Sequence, residues 1–341
     1  MVEHRLPIID LAGSAADARQ EARVAAEIDA AAAEYGFFYV VGHGVEPRTI
    51  ESLLNLSRTF FRLDEGIKRR LDMSRGGRAW RGYFPVGREL TSGRPDLKEG
   101  LYFGEELPVT DPRVRAGLPL HGPNLFPELP GFREAVLDYM RALTALGHRL
   151  IALIARGLAL DANAFHERYT SNPTTLFRIF HYPAAPPEPT AEQYGVGAHT
   201  DYGLLTLLYQ DDAGGLEIRE EAGWIEAPYV PGSFVINVGD MLERLTSGRY
   251  RSALHHVINR SGRSRISMPF FFDPRFDAVL EPIPNVAPVH ERPGLLERWD
   301  GIALRDVRGT YGEYLIGKVS KVFPELGRNH LAPGPAKEQN S

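Results

Sequence analysis

The sequence predicts a mainly β protein, a double-sheet jelly roll with helices ahead of it and one helix behind. Two observations carry this. From Thr174 onward, strand-like runs are short and closely spaced, with turn-forming clusters at 183–189, 211–215, 220–223, 231–232 and 261–262. Before Thr174, by contrast, apolar residues recur mostly at helical spacing.

Taken in order, residues 7–11 read as a short strand. Residues 17–35 are Ala-rich with spaced charges and predict a helix ended by Gly36. Residues 37–41 form a fully apolar strand, turned by Gly42-His43-Gly44. His43 has no carboxylate at ligand spacing, so a structural hydrogen-bonding role is expected of it. Helices follow over 49–61 and 64–72, and Arg81-Gly82-Tyr83 opens a loop that runs to Glu99, before a strand around 101–103. A Pro-rich connection over 107–131 leads to a long amphipathic helix, 132–158. Residues 310–322 predict a last helix packed back on the barrel, and the polar Pro/Gly tail 333–341 reads as disordered.

Composition narrows the function. The 341 residues include 43% hydrophobic and 24% charged residues, an ordinary globular balance. A net charge of -5 leaves no basic footprint for nucleic acid or an acidic membrane. With no cysteine, disulfides, thiolate metal sites and cysteine nucleophiles are excluded together. The most apolar helical stretch is interrupted by His148, Arg149 and Arg156, which argues against a membrane span. No secretory pattern opens the chain, so a cytoplasmic protein acting on a small molecule is expected.

The chemistry concentrates in residues 195–273. His199 and Asp201 are two apart, so on an extended strand both leave one face. With a histidine from a distant strand, His255 or its neighbour His256, they form a facial three-ligand set that leaves metal positions open, as non-haem Fe(II) oxygenases require. Arg265 and Ser267, again two apart, suit a carboxylate: a charge-assisted fork from one and a hydroxyl bond from the other.

These segments resemble the isopenicillin N synthase-like superfamily of Fe(II)- and 2-oxoglutarate-dependent oxygenases. The resemblance runs from Pro7-Ile8-Ile9-Asp10-Leu11 through 35–45 to Phe270-Phe271-Phe272. Segments 198–205, 210–216 and 116–123 are similar to the bacterial ethylene-forming enzyme, but they surround the metal rather than choose the product, so ethylene formation is not predicted. The resemblance implies a double-stranded β-helix: an N-terminal cap over 1–120, buttressing helices over 121–170, the catalytic core over 171–285 and a C-terminal helical segment over 286–332. It implies iron on His199, Asp201 and His255, because Tyr250-Arg251-Ser252-Ala253-Leu254-His255-His256-Val257 matches the family's third-ligand motif; His256 stands where that motif carries Arg and stays an alternative. It implies 2-oxoglutarate held by Arg265, Ser267 and Tyr182, with dioxygen as the second co-substrate. Phe180 occupies a position that is Asn in some plant members. Tyr83, Phe103, Tyr202, Phe271 and Asp273 are candidate substrate contacts, with core packing the competing reading for Tyr83 and Phe103. Arg178 is either a salt-bridged strand residue or a clamp for an acidic substrate.

The implied reaction couples decarboxylation of 2-oxoglutarate to succinate and carbon dioxide with oxidation of a C–H bond, by hydroxylation or desaturation. Two other readings stay open. Some members of the superfamily work without the oxo-acid, and a jelly roll can bind a metal as a non-catalytic sensor.

Overall fold

The computed structural model describes residues 6–91, 93–184, 194–284, 286, 301, 303–324 and 327–328. The predicted tail at 333–341 and most of the 183–189 turn lie outside them. Strands are β1 (Ile8–Asp10), β2 (Phe37–Val41), β3 (Gly82–Phe84), β4 (Leu90–Thr91), β5 (Arg94–Pro95), β6 (Glu99–Gly104), β7 (Thr174–Tyr182), β8 (Val196–His199), β9 (Leu205–Gln210), β10 (Leu216–Glu220), β11 (Gly223–Glu226), β12 (Phe234–Val238), β13 (His255–Val257) and β14 (Arg265–Asp273). Helices are α1 (Ala18–Glu34), α2 (Pro47–Phe61), α3 (Glu65–Lys68), α4 (Pro112–Arg115), α5 (Phe132–Gly157), α6 (Asp240–Leu245) and α7 (Tyr311–Val322).

The strands form a major sheet in the order β1-β2-β12-β9-β14-β7-β6-β3 and a minor sheet in the order β11-β10-β13-β8. Every pairing in them is antiparallel except β1 with β2. Two stacked antiparallel sheets are the jelly-roll solution to burying one face of each. Four strands from residues 1–120 extend the major sheet, so that region is woven into the barrel as well as covering it.

Local chemistry explains the framework. Asp17 caps α1 by accepting the Arg19 N–H at 2.8 Å. Gly36 ends it at φ +69°, where a side chain would collide with the Arg251 carbonyl. Along α5, buried residues such as Val136, Tyr139, Leu143, Leu146 and Leu150 recur every three or four positions, making the stripe that packs on the outer face of the major sheet. Phe272 of β14 packs against Gly147, where no side chain fits. Thr310 and Glu313 form a capping box at the start of α7.

Three expectations change. The 64–72 helix is only α3 followed by a 3-10 turn, because Asp72 turns out to cap the next segment through the Ser74 N–H. The 81–99 loop contains β3 and the β4–β5 hairpin. β7 and β14 are nine residues each, not short, and pair along most of their length. Among the described residues no helix is long and apolar enough to cross a membrane.

Candidate metal centre and co-substrate pocket

β8 and β13 pair with His199 opposite His255, which brings the two imidazoles to 4.3 Å between centroids. Each ring donates its Nδ1–H to a carbonyl two residues back, Gly197 O at 2.8 Å and Ala253 O at 3.1 Å. A carbonyl can only accept, so Nδ1 carries a hydrogen and Nε2 is the ring atom left for a metal; against burial, Asp201 holds the His199 imidazole above its ordinary value. Asp201 lies in the turn just past β8, not on the strand itself. Its Oδ2 accepts from the Thr206 hydroxyl and from Asn237 Nδ2, leaving Oδ1 exposed to the two rings at 3.5 and 3.8 Å from their Nε2 atoms. One ligand atom from each residue falls within 4.8 Å of the others. Burial pushes the His255 imidazole down to about 4, which keeps it neutral.

This donor set fits a divalent iron. Two imidazole nitrogens and one carboxylate oxygen converge, and every other polar atom on the three side chains is tied to the protein, as outer partners of metal ligands usually are. His256 faces away, as alternation requires: its Nε2 meets Glu217 at 2.6 Å and Trp224 stacks on it at 3.8 Å. His43 bonds the Val45 N–H of its own turn and the Gly232 carbonyl of a distant one, and it does not line the cavity.

The triad opens into a pocket between the sheets of about 960 Å³, counting the part open to solvent. Arg265, Ser267, Pro269, Phe271 and Asp273 of β14 and Arg178, Phe180 and Tyr182 of β7 all line it. Arg265 is fully buried; its Nε donates to Gly214 O at 2.6 Å and its Nη2 to Gln210 Oε1 at 3.1 Å. Its Nη1 is buried without a hydrogen-bond partner. Beside it, the Tyr182 hydroxyl lies 3.3 Å from Ser267 Oγ, with the Tyr182 ring under the guanidinium. An orphaned, oriented cationic donor next to two hydroxyls fits a carboxylate.

The candidate substrate contacts separate into two groups. Tyr202, Phe271, Asp273 and Arg178 line the cavity, but Tyr83 and Phe103 do not. The alternation of β6 explains it: Tyr83 pairs with Leu101, and Phe103, two residues on, shares that face. Phe103 therefore stacks on Phe126 and Phe177 away from the cavity, and the Tyr83 hydroxyl donates to Glu99 at 2.6 Å beside Lys68. Tyr102, on the opposite face of β6, stands behind a lining residue instead: its ring is 4.3 Å from the Arg178 guanidinium, which also lies 4.8 Å from the Phe271 ring. Arg178 is half-buried, and its Nε has no hydrogen-bond partner.

Sequence reasoning missed several lining residues. Glu89, Thr91 and Lys98 come from the stretch taken for loop, and Leu315 and Val322 from α7. Lys98 Nζ lies 2.7 Å from Glu89 and also contacts Asp96. Against burial, Lys98 and Arg178 hold Glu89 below its ordinary value. Thr206 and Asn237, which orient Asp201, were missed too; a lone polar residue inside each of the apolar runs 204–208 and 234–238 was the available signal.

Comparison with known proteins agrees with this geometry. Residues 6–129 match the family described as non-haem dioxygenase in morphine synthesis N-terminal, and residues 173–274 match the 2OG-Fe(II) oxygenase superfamily. The chain is 46% identical to a probable iron/ascorbate oxidoreductase of Dictyostelium discoideum, over 96% of this chain and 97% of that one. It is 37% identical to a 1-aminocyclopropane-1-carboxylate oxidase of Dictyostelium mucoroides, over 94% and 96%. The crystal structure of a full-length Neurospora crassa protein in complex with alpha-KG superposes with a TM-score of 0.77 at 27% identity, over 92% of this chain and 96% of that chain. The chain thus belongs to the 2OG-Fe(II) oxygenase superfamily and is a non-haem, Fe(II)-dependent dioxygenase.

Proposed function

We propose that the protein oxidises a C–H bond of a small molecule, by hydroxylation or desaturation, while 2-oxoglutarate is converted to succinate and carbon dioxide. In this reading His199, Asp201 and His255 hold the iron, and Arg265, Ser267 and Tyr182 hold the distal carboxylate of the oxo-acid. The observation that carries it is the division of labour around the triad: Nδ1 of each histidine and Oδ2 of Asp201 are engaged by the protein, and the three remaining atoms converge. Bound there, iron with 2-oxoglutarate and dioxygen supplies an oxidant able to attack an unactivated C–H bond.

The chain's own residues do the positioning. Arg265, anchored by Gly214 and Gln210, is pre-organised and loses little freedom when a carboxylate arrives. Leu208, Leu216, Val257 and Phe271 contribute apolar walls that keep water from the reacting centre. Substrate bound beside the triad supplies the remaining exclusion.

The test is anaerobic titration of the metal-free protein with Fe(II) and then 2-oxoglutarate, reading the visible charge-transfer band, followed by admission of oxygen and assay of succinate. A band and succinate that both vanish in His199→Ala are expected. The names of the two Dictyostelium relatives favour a second reading, an oxidase that needs no oxo-acid; iron binding without the band would select it. Failure to bind iron would overturn both.

A further inference from the structure

The ladder on β14 divides the cavity into two arms. Phe271 pairs with Thr206, whose hydroxyl bonds Asp201, so the triad sits at the level of Phe271. Arg265 lies six residues to one side, about 20 Å along the strand, a gap that an extended oxo-acid and the arginine side chain close together. Asp273 lies two residues to the other side, about 7 Å away, in the arm the oxo-acid leaves free.

Asp273 is an unusual group to find there. It is 2% exposed, and its Oδ2 accepts from the Tyr311 hydroxyl of α7. Its Oδ1 is buried with no hydrogen-bond partner; Arg178, which lines the same cavity, attracts the carboxylate from a distance, and among the described residues no cation forms an ion pair with it. The Leu204 N–H lies close enough to favour the charged form without closing a hydrogen bond to Oδ1. Oδ1 rests against Gly203, two residues after the ligand Asp201, where any Cβ would overlap it. That glycine is what allows a carboxylate to stand beside the metal turn. A buried carboxylate facing a cavity with one oxygen unmet is stabilised by a cation that arrives from outside.

We infer that Asp273 is a substrate-binding residue and that the substrate carries a cationic nitrogen, an ammonium or guanidinium, which bonds Asp273 Oδ1. This rests on the proposed function for which arm the oxo-acid fills. The cation brings the donors and the charge that Oδ1 lacks, and it docks one end of the substrate so that a neighbouring C–H bond faces the triad. The role of Tyr311 is positioning: it fixes the carboxylate rotamer from α7, the helix that also supplies Leu315 and Val322 to the cavity wall.

The experiment uses the anaerobic Fe(II)- and 2-oxoglutarate-loaded protein. The probes are L-arginine, L-lysine and 1-aminocyclopropane-1-carboxylate, with agmatine and cadaverine as cations lacking a carboxylate. Acetyl-capped L-citrulline amide and L-norleucine amide, acetylated at nitrogen, serve as uncharged controls. Binding is read both as a shift of the charge-transfer band and as heat by calorimetry. At least one cationic probe is expected to bind, with Asp273→Asn weakening it tenfold or more and leaving 2-oxoglutarate affinity within threefold. Tyr311→Phe, which keeps the carboxylate, is expected to retain preference for the cation over its uncharged control, which keeps the inference testable if Asp273→Asn does not fold. The inference is overturned if no cationic probe binds, if only the uncharged controls bind, or if Asp273→Asn or Tyr311→Phe shows Asp273 to be indifferent to probe charge. Absence of the band before any probe is added would instead count against the co-substrate reading, and calorimetry would still report on Asp273.

Discussion

Replacing Arg265 with Met tests the co-substrate site most directly. Met keeps much of the side-chain volume in this fully buried position but removes the charge and all donors. The structure leaves Nη1 for an incoming carboxylate, while Nε and Nη2 are spent on Gly214 and Gln210. One charge-assisted hydrogen bond is worth roughly 1.5–3 kcal/mol, and the Ser267 and Tyr182 hydroxyls remain to hold the ligand partly. At 1.4 kcal/mol per decade, 2-oxoglutarate should therefore bind about 10- to 150-fold more weakly. Iron affinity should stay within about threefold, since Arg265 is not a ligand. A stability cost of about 1–3 kcal/mol is also expected, because the Gly214 carbonyl and Gln210 Oε1 lose their donor. The assay is anaerobic 2-oxoglutarate titration with thermal unfolding on the same samples. A variant that folds, binds iron and takes 2-oxoglutarate with wild-type affinity would refute the assignment of Arg265.

Other expectations follow the same logic. Thr206→Val and Asn237→Leu each remove a bond to Asp201 Oδ2, and each should lower iron affinity about 10- to 100-fold in chelator competition while the fold persists. Lys98→Met leaves Glu89 and Asp96 buried without their shared cation, which should cost about 3–5 kcal/mol in denaturant unfolding at pH 7. Burial raises the Asp273 carboxyl from its ordinary 3.8 to about 7, against the Tyr311 hydrogen bond, so the folded protein resists its ionisation. The penalty is absent below about pH 4, grows as pH rises and is complete above about 7, reaching roughly 4 kcal/mol. In the metal-free protein, Asp273→Asn should match wild-type stability near pH 4 and exceed it by a few kcal/mol at pH 8; unfolding curves with a pH-independent difference would contradict this.

How far the sequence could be read depended on whether a residue's role followed from its neighbours along the chain. His199, Asp201, Arg265 and Ser267 are legible because period-two spacing defines a face, and β14 keeps that face over nine residues. The helices α1, α2, α5 and α7 announce themselves through apolar stripes, α1 and α7 through caps as well. For Tyr83 and Phe103 the sequence offered both core packing and substrate contact, for a physical reason: alternation tells which residues share a face, but not which of the two faces meets the cavity. Choosing between Tyr102 and Phe103 needed the pairing with β7. Glu89 and Lys98 escaped notice because the stretch around them is rich in Gly, Pro and Arg, without period, and its strands are two residues long. The tie between Asp201 and Asn237 spans 36 residues, a separation at which no local pattern survives.

β14 has one more consequence, for how such a protein changes over generations. Its even-numbered residues Ile266, Met268, Phe270 and Phe272 are buried in the core, Phe272 against α5, while its odd-numbered ones line the cavity. Positions 269, 271 and 273 can thus be exchanged to accept a new molecule without touching the packing behind the strand. Shifts of register are different: a one-residue slip would trade the two sets at once and lose fold and activity together. Innovation at this strand is therefore confined to substitution in place, every second residue, with Arg265 and Ser267 held back by the co-substrate all variants share.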